Sequence, residues 1–213
     1  MIRFLVISFL SSFVLLSCSL RTTEGLRQVD FNKTVPIAIG IKNPYFSNPE
    51  IDYVYKAKIE VYNKNFGGIL IIKKIGFESH RVVFTTEFGS KLFDFQYEGD
   101  TFTKNFVVED FDKKFIINIL RDDFKLLVNE KAKILEVYSS KNQTVYKTQS
   151  ENRFNFYFLD IDFSTLEKIV NTSKTKEKLE INFTSSEENI ADTISIVHNN
   201  IKLKIDLEKF KKQ

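Results

Sequence analysis

The sequence has no tryptophan, one cysteine, two histidines and three prolines among its 213 residues. A single thiol excludes an internal disulfide framework, and an unpaired Cys18 would be a liability outside the cytoplasm unless it were chemically consumed. His80 and His198 lie far apart and lack a His-x-x-x-His spacing, so no metal site is expected. There is no Gly-x-Ser-x-Gly nucleophile turn and no glycine loop to cradle a phosphate. The carboxylate pairs Asp122-Asp123 and Glu187-Glu188 stand among charged neighbours and read as solvated. These absences leave no catalytic residues and no cofactor to assign, and an enzyme is not expected. The formal net charge of +3 is spread without a basic block, which argues against a nucleic-acid partner.

What the sequence does contain begins with its first eighteen residues. Arg3 supplies a short positive start, and Phe4 to Leu16 is an uncharged apolar run of the length of a signal-peptide core. A spanning helix needs about 20 apolar residues, and this run breaks at Ser17-Cys18-Ser19 and Arg21. Leu15-Leu16-Ser17-Cys18 resembles a bacterial lipobox, with an apolar residue three before the cysteine and a small one next to it. That resemblance implies removal of residues 1–17 and diacylation of Cys18. Two acyl chains would hold the chain stably on a membrane, where one would be marginal.

Residues 18–50 read as lipidated cysteine, tether and N-terminal loop, with a short helix possible over 22–31. All three prolines (Pro36, Pro44 and Pro49) fall in this part. Residues 51–213 read as one domain, and 43% hydrophobic residues suffice for a real core. Its 22 phenylalanines accompany abundant Ile, Lys and Asn, a composition that an AT-rich genome also favours. Composition therefore does not by itself establish a lipid cavity.

Within the domain, Tyr53, Tyr55, Ala57, Ile59 and Val61 alternate against Lys56, Lys58 and Glu60, the pattern of a half-buried strand. A turn at 63–68 and strands near 69–75 and 101–107 complete a five-stranded meander around the central hairpin. From Asp110 the period becomes helical. Phe111, Phe115, Ile116, Ile119, Leu120, Phe124 and Leu127 predict a helix over 110–128 whose apolar stripe packs on the sheet. Strands resume near 133–139, 144–149 and 153–159. Ser164-Thr165-Leu166-Glu167 reads as a capping box opening a short helix to Asn171, and strands near 178–184, 193–198 and 201–207 close the chain. The predicted fold class is α+β, mainly β: an open, strongly curved antiparallel sheet, an incomplete barrel, wrapped around a long amphipathic helix.

The central hairpin is the most informative stretch. In SHRVVFTTEFGSKLFDFQY, alignment of the aromatic faces pairs Val82 with Phe95 and Phe84 with Phe93, which calls for an even loop. A two-residue Phe88-Gly89 turn would force Phe into a positive φ, so a four-residue loop, Glu87-Phe88-Gly89-Ser90, is expected. Phe88 then sits at the tip, either projecting outward or folded back onto its own hairpin.

TTEFGSKLFDF and IKLKIDLEKF, behind a lipobox, resemble two segments of the LolB-type outer-membrane lipoprotein receptors and their periplasmic carrier relatives. The resemblance implies an incomplete β-barrel closed by helices, with an apolar cavity for lipoprotein acyl chains. It also implies a membrane-engaging loop at Phe88 and Gly89, and placement in the bacterial envelope, at the outer membrane facing the periplasm. Ile59, Ile71, Val82, Phe84, Phe93, Phe95, Phe115 and Ile119 are the candidate cavity lining. The family's tryptophans and its proline-rich turn are missing here. Two functions stay open: a lipid-handling protein that assists lipoprotein delivery, or an accessory lipoprotein using the same fold as a docking module without ligand. Core and cavity lining use the same residue types, so the state of the inner face separates them.

Overall fold

A computed structural model describes residues 21–29, 41–160, 165–187 and 189–210; Cys18, the signal segment and Ser164 lie outside them. The N-terminal strands are β1 (Arg27–Val29) and β2 (Ile41–Lys42). A meander follows: β3 (Asp52–Val61), β4 (Lys64–Gly76), β5 (Ser79–Thr85), β6 (Lys91–Glu98) and β7 (Thr101–Val107). Next come helix α1 (Lys114–Val128) and the short β8 (Lys131–Ala132). A second meander comprises β9 (Ile134–Ser139), β10 (Gln143–Ser150), β11 (Arg153–Asp160), β12 (Leu166–Thr172), β13 (Glu177–Thr184), β14 (Thr193–His198) and β15 (Leu203–Lys209).

Thirteen of these strands form one antiparallel sheet in the order β1-β9-β10-β11-β12-β13-β14-β15-β3-β4-β5-β6-β7. The seam between the meanders is the pairing of β15 with β3, Leu203 opposite Val61 through Lys209 opposite Tyr55. β1 and β7 remain as separate edges, so the sheet is open. Inner-face residues from both meanders join the buried side of α1 in one hydrophobic cluster, which requires the sheet to bend around the helix. A smaller cluster of Val145, Phe156, Phe158 and Val170, on the outer face, is covered by Leu26 and Tyr138.

Several local expectations change in the folded chain. The helix begins at Lys114, not at 110, because Val108 O accepts bonds from Phe111 N and Asp112 N, both at 3.0 Å, and turns the chain first. Its buried stripe is Ile116, Leu120, Asp123, Phe124, Leu127 and Val128. Phe115 lies about 100° away from Ile116 around the helix and is 48% exposed, so it does not face the sheet. Ile119 packs at the margin of the cluster. Ile71 also leaves the proposed lining: Leu70 and Ile72 are the buried apolar side chains of β4, and Ile71 opposes Val83 on the outer face. The turn before β4 is Tyr62-Asn63, narrower than expected, and Gly67-Gly68 lie inside the strand. Gly68 is there for close approach, since a Cβ on it would stand 1.9 Å from Thr85 O.

The segment expected to be a short helix up to Asn171 is strand β12, paired with β11 and β13. Near the N-terminus, a 3-10 turn at Arg21–Thr23 and strand β1 replace the start of the expected helix. Part of the expected tether is docked: Thr22 Oγ1 donates to Glu177 at 2.6 Å, and Arg27–Val29 pairs with Val137–Ser139. The proline-bearing loop is likewise built in. Tyr45 and Phe46 are buried, Asn43 Nδ2 donates to Leu127 O at 2.9 Å, and Tyr45 Oη donates to Leu166 O at 3.1 Å.

The two phenylalanines of α1 give a direct test of this packing. Phe124→Ala is expected to lower unfolding free energy by about 3–5 kcal/mol, and Phe115→Ala by less than about 1 kcal/mol. Urea denaturation of the two variants checks the difference, and similar losses would mean the helix is rotated from the orientation described.

Candidate functional site

The candidate site is the β5–β6 hairpin and the interior behind it. Register within the hairpin runs Val82 opposite Phe95 and Phe84 opposite Phe93, then shifts so that Thr85 opposes Lys91. Leu92 is the extra residue. Because this bulge absorbs one position, the tip is odd, not even, and Glu87-Phe88-Gly89 is a three-residue turn. Thr86 N donates to Ser90 O at 2.8 Å, Gly89 N to Thr86 O at 3.0 Å, and Ser90 N to Thr86 Oγ1 at 3.1 Å. Gly89 takes φ +84°, the left-handed conformation that ends such a turn and that only glycine adopts cheaply. Phe88 is left 99% exposed at the apex. The ring does not fold back.

A buried polar clamp on the outer face holds the hairpin rigid. Asp94 is 1% exposed and its carboxylate accepts from Arg81 Nε at 2.9 Å, Arg81 Nη2 at 2.7 Å, Lys91 Nζ at 2.8 Å and Asn105 Nδ2 at 3.3 Å. The paired Arg81 bonds hold its carboxyl well below the ordinary range against the opposing effect of burial, with Lys91 and Asn105 adding to them. The clamp ties β5, β6 and β7 together just below the tip.

On the inner face, Ile59, Val82, Phe84, Phe93 and Phe95 have no exposed surface. Phe93 is the hub. Its ring stacks on Phe95 at 4.6 Å and meets Phe84 at 5.3 Å, Phe111 at 5.6 Å and Phe124 of α1 at 5.8 Å. The helix stripe and the aromatic face thus occupy the space that the resemblance assigns to acyl chains. Of the concavities described, a broad, open one borders Gly25, Arg27, the 139–143 turn and Glu167. Another, of about 180 Å³, lies under the C-terminal end of α1 between Glu78, His80, Tyr97, Lys125 and Glu130. Both are lined mainly by polar groups. In the second, His80 Nε2 donates to Phe46 O at 2.9 Å, and burial lowers the ring's pKa, which favours the neutral form. Lys74 Nζ pairs with Glu130 at 2.6 Å.

The buried polar pair of α1 serves architecture. Asp123 on the helix and His198 at the end of β14 meet at 2.7 Å; burial raises the Asp123 carboxyl while His198 lowers it. Sequence reasoning missed this link, because an Asp amid a charged stretch reads as solvated. Among the described residues no group of three or more His, Cys, Asp or Glu could hold a metal ion, and no helix is long and apolar enough to cross a membrane.

No family model matches the sequence, and no curated protein matches it. Solved structures do. The crystal structure of the LolA superfamily protein NE2245 from Nitrosomonas europaea is similar over 80% of this chain and 90% of that one, at 8% identity and a TM-score of 0.45. A domain assigned as an outer membrane lipoprotein-sorting protein from Vibrio parahaemolyticus is similar over 75% of this chain and 83% of that one, at 9% identity and a TM-score of 0.42.

The Asp94 clamp has a measurable pH signature. A carboxyl lowered on folding contributes stability that is complete above its unfolded pKa, near 3.8, and is lost as pH falls toward the folded value. Asp94→Asn is expected to cost about 1.5–3 kcal/mol at neutral pH, with the gap from wild type narrowing below about pH 4. Urea titrations across that range measure it; a gap independent of pH would remove the charge from the explanation.

Proposed function

We propose that this chain is a lipid-anchored bacterial envelope protein that handles acyl chains and presents them to a membrane through the Phe88 hairpin. The observation that carries the reading is the wholly exposed Phe88 at the apex of a clamped hairpin whose other aromatics form the core. A phenylalanine in water gains about 1.5–3 kcal/mol on entering an apolar phase, enough to bias contact with a bilayer and too little to anchor the protein. Anchoring falls to acylated Cys18. An acyl chain would lodge between α1 and the inner face of β3–β6, and entry requires α1 to move away from Phe93 and Phe95. The missing side-chain cap at Lys113 and the exposed Phe115 make the N-terminal turn of α1 the place where such opening starts.

A second reading has its own support. The inner face is closed by α1, so a docking module without ligand needs no rearrangement at all. Native mass spectrometry of the unlipidated chain purified without detergent separates the two: co-purified phospholipid or fatty acid supports acyl-chain handling, and a bare protein supports the docking module.

Two substitutions test the membrane side of the proposal. Cys18→Ala is expected to abolish incorporation of labelled palmitate and release the protein from the membrane fraction; continued labelling would remove the lipoprotein assignment. Phe88→Glu in the unlipidated chain should leave the urea midpoint unchanged and weaken sedimentation with liposomes. Unaltered liposome binding would deny the hairpin its role.

A further inference from the structure

The antiparallel order of the sheet sends alternate turns to the same edge. The turns at 62–63, 86–90, 151–152, 173–176 and 199–202 share one edge; those at 77–78, 99–100, 140–142 and 185–192 share the other. Across the seam the first edge is continuous, since Tyr62 N donates to Lys202 O at 2.7 Å. The two edges differ in chemistry. The first carries exposed Lys174, Lys176 and Lys202, with Glu87 and Glu151 as its acidic residues, together with exposed Tyr62 and Phe88. The start of α1 adds Phe115, whose ring lies 6.3 Å from that of Tyr62, and exposed Lys113 and Lys114. Asp110 and Asp112 nearby are paired with Lys64 and Lys104, while Glu109 adds one further carboxylate. The second edge carries Glu78, Asp100, Glu187 and Asp192, but Lys125 pairs with Asp100 and Lys209 with Glu187 and Asp192, and Lys131 and Lys141 lie beside them, so among the described residues its charges are balanced where those of the first edge are in basic excess. Its exposed Phe77 is covered on one side by Lys131 Nζ, 5.2 Å from the ring centre.

The docked N-terminal segment distinguishes the edges independently. Thr22 is bonded to Glu177, the first residue of β13 and the neighbour of the 173–176 turn. Cys18 stands three positions before Arg21, a reach of about 10 Å. The far end of β13, Thr184, is seven residues away from Glu177, a span of roughly 23 Å. Five residues on from Thr22, Arg27 pairs with Ser139 beside the 140–142 turn of the second edge, so the segment nears the lysine-bearing edge as it runs back toward its N-terminus, and acyl chains on Cys18 would start from that side.

We propose that this whole edge rests on the bilayer: Lys174, Lys176 and Lys202 face anionic lipid headgroups, and Tyr62, Phe88 and Phe115 enter the interface. The inference rests on the lipid anchor proposed above and adds an orientation to it. A basic side chain near an anionic surface gains attraction that vanishes on a neutral one, whereas aromatic insertion is less dependent on headgroup charge.

Because acylation consumes the Cys18 thiol, one introduced cysteine is the single labelling site in the mature lipidated protein. A fluorophore at Thr175→Cys or Asn200→Cys, on the lysine-bearing edge, is compared with one at Asp100→Cys or Asn142→Cys, in phosphatidylethanolamine–phosphatidylglycerol vesicles with headgroup nitroxides. Quenching is expected to be several-fold stronger at Thr175 and Asn200, and to weaken when phosphatidylcholine replaces phosphatidylglycerol. Equal or reversed quenching overturns the orientation, including the case in which a protein partner occupies this edge instead. Contrast unchanged in phosphatidylcholine overturns the role of anionic headgroups. Mass spectrometry of the same samples reports the acyl groups: a non-acylated chain overturns the anchor and the inference with it, whereas an acylated chain with equal quenching overturns the orientation alone.

Discussion

The contact between α1 and the aromatic inner face, centred on Phe93, is the constraint on which the rest of the structure depends. An open sheet of thirteen strands has no closed ladder to hold its curvature. Its bend is kept by a filler that touches both meanders, and α1 is that filler: Leu120, Phe124 and Leu127 share one cluster with Phe93 and Phe95 on one side and Ile169 and Ile181 on the other. The Asp123–His198 pair fixes the helix against β14 with a directional bond that apolar packing lacks. Removing the helix from this position would leave two meanders joined by the β15–β3 seam with nothing between them. Stability and access to the interior are therefore opposed, and any ligand must supply the burial that the helix gives up.

The division of labour along the hairpin follows from the period of a strand. Phe93 and Phe95 point inward while Asp94, between them, points outward into the Arg81–Lys91–Asn105 cluster. One face is dry packing and the other is a charge-assisted network, so both sides of β6 are rigid. The solvent-facing part is confined to the tip, where Gly89 turns the chain and Phe88 stands exposed.

Much of the fold was legible in the sequence wherever alternation was clean. The tyrosines of β3 and the Val82–Phe95 and Phe84–Phe93 pairs follow from period two, and the last strand from its alternation of Ile and Leu with Lys and Asp. The reading failed where the pattern carried no information about face. In Ile69-Leu70-Ile71-Ile72 every residue is apolar, so nothing in the run says that Leu70 and Ile72 face inward, and Ile71 was placed on the wrong side. A bulge changes parity without a residue-type signal, which is why Leu92 altered the loop length. Thr165-Leu166-Glu167 kept the local chemistry of a helix start, but pairing with two neighbouring strands outweighed it. Phe115 differs from Ile116 by one position of a helix, and only tertiary contact decides which of two adjacent apolar residues is covered.

The seam has a consequence for the order of events when the chain is made. β3, the start of the first meander, finds its second neighbour only in β15, the last strand among the described residues. Until that strand emerges, one side of β3 offers a row of unpaired amides and carbonyls, and the aromatic face lacks half its cover. Long-range closure of this kind is slow, because the loop entropy is lost before the contacts that reward it are made. Each meander can pair within itself as it is made, but the joined sheet waits for the last strand, and the free edge of β3 is the place where the unfinished chain is most open to wrong partners.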